Sequence, residues 1–152
     1  MMIYATYSSG TLVVSELIQN QLQASGHTVT LMNASETDHF KLQGYDLIMM
    51  GTPSWWNNEQ DGQPHHDVLK LIDKMKGRKV QKLFAIYGLG DSSYARLCNA
   101  VDILDEFVKS IEGTLFIPSL KVDSFYFEQK KNEELIKNWT TELISKINSY
   151  SI

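Results

Sequence analysis

Leu83-Phe84-Ala85-Ile86-Tyr87-Gly88-Leu89-Gly90-Asp91-Ser92-Ser93-Tyr94 decides how the chain is read. Its first half is apolar without alternation, which predicts a strand covered on both faces over Lys82 to Tyr87, ending at Gly88. Its second half is a glycine-bearing polar loop. Beyond it Leu97, Val101, Leu104, Val108 and Ile111 recur four and three apart, with Gly113 after them. That spacing predicts a helix with one apolar stripe and a glycine stop. Strand, polar loop and covering helix in that order are the repeating unit of a parallel sheet.

The same unit recurs on either side. Met2 to Thr6 is a short apolar run, and from Thr11 the period changes, with Val14, Leu17, Ile18 and Leu22 on one stripe and Gly26 closing it. Thr28 to Met32 reads as strand two. Tyr45 to Met50 reads as strand three, ending at Gly51, and a polar stretch from Thr52 to His66 follows. A second helix carries Val68, Ile72 and Met75 up to Gly77. Strand five spans Thr114 to Val122 and contains Pro118, which lacks a ladder donor and so marks an edge. The last helix places Ile136, Trp139, Leu143 and Ile147 on one stripe. The expectation is one α/β domain over residues 1–152, with five strands, four helices and right-handed crossovers. In such a sheet ligands bind beyond the C-terminal strand ends, where the strand order reverses.

Composition narrows the function. The 152 residues (17.3 kDa) are 43% hydrophobic and 21% charged, an ordinary globular balance. The formal charge of −4 offers phosphates no basic face, so nucleic acid is not an expected partner. The longest apolar runs, such as Leu47-Ile48-Met49-Met50, fall far short of the roughly 20 residues of a membrane span. The single cysteine, Cys98, fits a reducing compartment, and the expected location is the cytoplasm.

Three loops then share one end of the sheet. Thr6-Tyr7-Ser8-Ser9-Gly10-Thr11 opens helix one with hydroxyls, a glycine and no Lys or Arg. A helix N-terminus suits an anion and hydroxyls add neutral donors; from this loop alone simple capping by Ser9 or Thr11 is the favoured reading. Gly51-Thr52-Pro53-Ser54-Trp55-Trp56-Asn57-Asn58 carries adjacent tryptophans out of strand three, positioned to stack on a planar ligand or to cover the sheet end. Tyr87 to Tyr94 adds two glycines that allow close backbone approach, Asp91 as an acceptor or helix cap, and Tyr94 as a second aromatic face. Together the loops offer a phosphate site, two aromatic faces and polar rims, which is what a flat, phosphorylated aromatic cofactor needs.

The motifs resemble those of the short-chain flavodoxins. Gly88-Leu89-Gly90-Asp91-Ser92-Ser93-Tyr94, followed by Leu97-Cys98-Asn99-Ala100-Val101-Asp102, is similar to the family's G-x-G-D-S-S-Y-x-x-F-C-x-A-V-D segment, with Leu97 in place of Phe. Gly51 to Trp55 resembles the loop that holds the inner-face aromatic, and Thr6 to Thr11 the [T/S]-x-T-G-x-T phosphate loop. The resemblance covers essentially the whole chain. It implies a three-layer α/β/α fold, a five-stranded parallel sheet in order 2-1-3-4-5, FMN as cofactor and low-potential electron transfer as function. It further implies that Thr6, Ser8, Gly10 and Thr11, with the backbone of Tyr7 and Ser9, hold the phosphate. Pro53, Ser54 and Asp91 would line the ribityl chain, with Trp55 on the inner and Tyr94 on the outer face of the isoalloxazine. Gly88, Leu89 and Gly90 would approach its pyrimidine end, with Cys98 behind. Trp56 and Asn57 would flank the peptide that turns toward the flavin. Redox partner proteins, a reductase and an acceptor, would dock transiently near the flavin edge on a monomer.

Departures from the pattern carry expectations too. Ser9 stands where the family has Gly, so Gly10 is expected to take any left-handed conformation the loop needs. Trp56 stands where Gly is common, which predicts a less stabilised flavin semiquinone. The acids outnumber bases only in residues 1–76, since residues 77–152 carry ten of each, so partner steering should be weak. His65-His66 reads as a solvated pair rather than a metal site. Four other readings compete: a small FMN-dependent NAD(P)H or quinone reductase, for which the chain leaves little room; a response-receiver module, which needs clustered aspartates where this chain has Thr6-Tyr7 after strand one; a flavodoxin-like interaction module without FMN, against which the aromatic pair argues; and nucleophilic catalysis, for which no residue arrangement speaks.

Overall fold

The computed structural model describes residues 1–57 and 59–150; Asn58, in the second loop, and positions 151–152 lie outside the described residues. In chain order the elements are β1 (Met2–Tyr4), α1 (Gly10–Ala24), β2 (Leu31–Asn33), β3 (Leu47–Pro53), β4 (Trp55–Asn57), β5 (Gln60–Gln63), α2 (His66–Met75), β6 (Leu83–Gly90), α3 (Asn99–Ser110), β7 (Thr114–Leu115), β8 (Leu120–Asp123) and α4 (Gln129–Tyr150). Two 3₁₀ turns, Ala34–Glu36 and Phe40–Leu42, connect β2 to β3.

The main sheet is parallel and runs β2-β1-β3-β6-β7, with β8 also on β6. Alternation along the strands sorts the core into two layers. Ile3, Ile48, Met50, Phe84 and Ile86 pack with Val68 and Leu71 of α2 and Val101, Leu104 and Val108 of α3. Met2, Met49, Ala85, Tyr87 and Leu89 pack on the other face with Val14 and Ile18 of α1 and Ile136, Trp139 and Leu143 of α4. Each crossover therefore buries its apolar stripe on one face of a shared sheet.

Three expectations change. Strands three and four do not stop at Gly51 and Gly88: β3 runs to Pro53 and β6 to Gly90, because Thr52 and Pro53 pair with Gly88 and Leu89. The fifth strand is two pieces on one edge. β7 pairs with Leu83 and Phe84, β8 with Tyr87 through Gly90, and the chain leaves the ladder between them at Pro118. The Pro118 carbonyl accepts from Trp139 Nε1 instead (2.8 Å). The polar stretch after strand three holds a small antiparallel ribbon, β4 with β5, tied to α3 by Asn99 Nδ2 on the Gly62 carbonyl (3.1 Å).

Helix three also starts later than its stripe suggests. Leu97 is exposed, and Cys98 is the residue before the helix, at φ 51°. A Cβ at Gly90 would lie 2.6 Å from the Cys98 nitrogen, so strand β6 and the start of α3 touch backbone to backbone there. No helix among the described residues is long and apolar enough to cross a membrane.

Candidate functional site

The C-terminal ends of β1, β3, β6 and β8 open into one cleft of about 250 Å³. Its first wall is the loop into α1. The first bond of that helix runs from Val13 N–H to the Ser9 carbonyl (3.0 Å), so the amides of Gly10, Thr11 and Leu12 precede it without intrahelical acceptors. Ser9 adopts a left-handed conformation (φ 64°, ψ −11°) and its side chain caps nothing. This reverses the expectation for Ser9 and Gly10. Gly10 has ordinary helical sense and is used for proximity: a Cβ there would lie 3.1 Å from Leu89 Cδ2 and 3.5 Å from the Tyr126 ring. The strained position falls on Ser9, at about 1–2 kcal/mol for a residue with a side chain.

Thr11 Oγ1 is buried and has no hydrogen-bond partner among the described residues. An orphaned hydroxyl is costly unless something else satisfies it. It lies at a helix N-terminus, beside Thr6, Ser8 and Gly10 on the cleft wall. The capping reading fails for both residues proposed for it, since neither Ser9 nor Thr11 bonds the helix amides through its side chain. What remains is an anion site built from neutral donors, and a phosphate fits it.

The second wall is Pro53, Ser54 and Trp55. Ser54 is pinned at both ends: its N–H donates to the Leu89 carbonyl (2.7 Å) and its Oγ accepts from Ala100 N–H (3.0 Å) at the start of α3. Residues 55 and 56 lie next to each other in an extended ribbon, so their side chains take opposite faces. Trp55, 47% exposed, lines the cleft, whereas Trp56, 65% exposed, does not; neither does Asn57, which pairs with Gln60. Neither Trp56 nor Asn57 has positive φ; among the described residues of the ribbon that conformation falls on Glu59 (φ 60°) and Gly62 (φ 73°).

The third wall is Leu89, Gly90, Asp91 and Tyr94. Asp91 closes its own turn, accepting from Ser93 N–H (2.8 Å) and Ser93 Oγ (2.6 Å). These two bonds hold its carboxyl below the usual carboxylate range. Asp123 accepts from Ser92 N–H (2.9 Å) and ties the loop to β8. Gly88 faces away from the cleft: a Cβ there would run into Val101 of α3, so its missing side chain accommodates a helix. Cys98 is fully buried behind Gly90, with its thiol 3.6 Å from the Val122 carbonyl, and burial pushes its pKa up to about 11. It does not reach the cleft.

A fourth wall was not anticipated. Ser124, Phe125, Tyr126 and Phe127 follow β8, and the Tyr126 hydroxyl reaches across to donate to the Ser8 carbonyl (3.4 Å). The signal was present as three consecutive aromatics at the same end of the sheet. Phe127 is 86% exposed.

Tyr7 lies behind the cleft rather than in it. Its ring lies against His65, centroids 3.9 Å apart and planes tilted by 35°, and approaches Trp55 at 5.5 Å, and its hydroxyl accepts from His66 N–H (3.2 Å). The histidines are therefore not a solvated pair. His65 is buried, its Nδ1 accepts from Asp67 N–H (3.1 Å) at the start of α2, and desolvation followed by the neighbouring His66 lowers its pKa.

The chain is similar to known proteins. The flavodoxin family's sequence profile matches residues 2–139. A probable flavodoxin 2 of Bacillus subtilis is 33% identical over 138 residues, 90% of this chain and 88% of that protein. A flavodoxin of Nitratidesulfovibrio vulgaris is 30% identical over 81% of this chain and 83% of its own. The crystal structure of oxidised flavodoxin 2 from Bacillus cereus superposes with a TM-score of 0.85 at 26% identity, covering 95% of this chain and 97% of that one. With a parallel β2-β1-β3-β6 sheet, a hydroxyl-lined helix N-terminus and aromatic cleft walls, the chain belongs to the flavodoxin family.

Proposed function

We infer that this flavodoxin carries electrons between redox partner proteins on FMN held in the cleft. The observation that carries the assignment is Thr11 Oγ1, buried and unpartnered at a helix N-terminus, beside a cleft walled by Trp55 and Tyr94. Flavodoxins are FMN-binding electron carriers rather than enzymes, and bound FMN supplies the one- and two-electron chemistry.

The chain's own residues bind and orient. The Gly10, Thr11 and Leu12 amides, with the hydroxyls of Thr6, Ser8 and Thr11, hold the phosphate through dipoles rather than a full positive charge. Pro53, Ser54 and Asp91 flank the ribityl chain. Trp55 and Tyr94 present ring faces to the isoalloxazine and exclude water from it. Leu89 and Gly90 bring backbone groups to its pyrimidine end. Trp56, Asn57, Gly88 and Cys98, all expected near the flavin, act instead through the ribbon and the start of α3. The ionised Asp91 on the rim disfavours added negative charge nearby, which lowers the potential for reduction.

Partners dock over the exposed rings at the cleft mouth, where transient contact brings two cofactors close, and the protein works as a monomer. The test is anaerobic. The FMN-loaded protein should accept electrons from a flavodoxin reductase plus NADPH and pass them to cytochrome c. NADPH alone should leave it oxidised. Rapid NADPH oxidation by the protein alone would move the assignment to a reductase. During stepwise reduction the exposed Trp56 in its extended strand predicts a low one-electron plateau.

A further inference from the structure

A buried hydroxyl chain joins the centre of the sheet to the loop that opens α1. Tyr87 of β6 stands in register with Gly51 of β3. Its ring crosses the space that a side chain at 51 would fill: a Cβ there would lie 2.5 Å from Tyr87 Oη and nearer still to the ring carbons. The ring is completely buried and reaches Ser15 of α1, with 2.6 Å between Oη and Ser15 Oγ. Ser15 Oγ donates to the Thr11 carbonyl (2.6 Å). A serine has one hydroxyl proton, so the phenol must be the donor to Ser15. Burial raises the phenol's pKa and keeps it a donor. The order Tyr87 to Ser15 to the Thr11 carbonyl is thus fixed, and it ends on the residue whose own Oγ1 is buried and unpartnered at the cleft.

A phenol in an apolar layer is costly where phenylalanine would pack as well. Met49, Ala85, Leu89 and Val14 belong to the same layer, and Trp139 stands 6.5 Å away ring to ring. The hydroxyl therefore has a task that packing does not explain. Neither Tyr87 nor Ser15 lines the cleft.

We propose that Tyr87 and Ser15 are positioning residues for the phosphate end of the cleft. They anchor the first turn of α1 to the sheet, so that the Thr11 hydroxyl and the first amides converge on the phosphate. Gly51 belongs to the same device, because it vacates the space the ring crosses. The proposal rests on the FMN reading of the cleft. It assigns a phosphate-specific effect to residues that never touch the ligand.

The experiment compares FMN with riboflavin, which has the same ring and ribityl chain but no phosphate. Dissociation constants for both come from quenching of flavin fluorescence by the apoprotein, for wild type, Tyr87→Phe and Ser15→Ala. The lost hydrogen bond should weaken FMN binding about fivefold in Tyr87→Phe, and at least as much in Ser15→Ala. Riboflavin binding should change less than twofold. The ³¹P resonance of bound FMN should shift in both variants while the visible absorption bands stay in place. The double variant should be no worse than Ser15→Ala, since both substitutions cut one chain. Far-UV circular dichroism checks folding, and Ser15→Ala serves if Tyr87→Phe fails to fold. Equal weakening of FMN and riboflavin, or no change in either, overturns the proposal while leaving the FMN reading intact. A wild-type protein that does not bind FMN overturns both.

Discussion

Gly51→Ala should be among the most damaging single-methyl additions in the sheet. Ordinary van der Waals contact is 3.4–4 Å, and the new Cβ would stand 2.5 Å from Tyr87 Oη, with ring carbons inside that distance. The ring cannot retreat. It is fully buried, bonded at Oη to Ser15 and flanked by Trp139. Overpacking of a closed core site costs about 1–3 kcal/mol and sometimes more. An overlap this large against an anchored ring belongs at the upper end, so the cost should be about 3 kcal/mol. For a chain this size that lowers Tm by about 6–12 °C. Urea unfolding followed by circular dichroism measures it, the midpoint falling with an unchanged slope. Tyr87→Leu in the same background removes the obstacle. The double variant should then recover part of the loss, with a coupling of about 1 kcal/mol or more. A Gly51→Ala cost under about 0.5 kcal/mol, or strictly additive substitutions, would refute the placement of the ring and with it the hydroxyl chain.

Other outcomes follow from single residues. Ser9→Gly should stabilise the apoprotein slightly, by about 0.5 kcal/mol, because relief of the left-handed strain outweighs the added freedom of glycine in the unfolded chain; Ser9→Val should destabilise it, and thermal melts of the two should move in opposite directions. His65 has a folded pKa below its ordinary 6.5, so between those values the unfolded chain binds the extra proton. Its contribution is complete above about pH 7 and is lost as pH falls through 6.5 toward the folded value, and a stability–pH profile should be flatter there in His65→Asn. Cys98, buried and with its thiol pushed up to about 11, should resist a thiol reagent at pH 8 in the native protein and react only after unfolding.

The fold was legible where periodicity and burial coincide. Val14, Ile18 and Leu22, or Ile136, Trp139 and Leu143, pack as their spacing demands because each stripe faces a sheet covered on both sides. Motif spacing likewise led to Thr11, Trp55, Asp91 and Tyr94, which the fold brings to one cleft. What stayed hidden depends on contacts distant in sequence. Ser9 carries the strained dihedral because Gly10 is needed against Leu89 and Tyr126, and nothing near residue 10 announces either neighbour. Leu97 opens the helical stripe by spacing, yet the helix begins only after Cys98, which sits against Gly90 at φ 51°. From the loop's composition alone the two tryptophans look equivalent; the resemblance singles out Trp55, and the ribbon turns Trp55 to the cleft and Trp56 away from it. Phe125, Tyr126 and Phe127 stay hidden in the sequence because the edge strand before them is broken at Pro118, which obscures where its loop begins.

The central claim is that an uncharged loop, with Thr11 Oγ1 at its base, holds FMN in this cleft. The most direct measurement is a fluorescence titration of FMN with the purified apoprotein. The account predicts quenching that saturates at one FMN per chain and survives desalting, and weakens in Thr11→Val. Flavin that stays fluorescent and separates from the protein on a desalting column would contradict it.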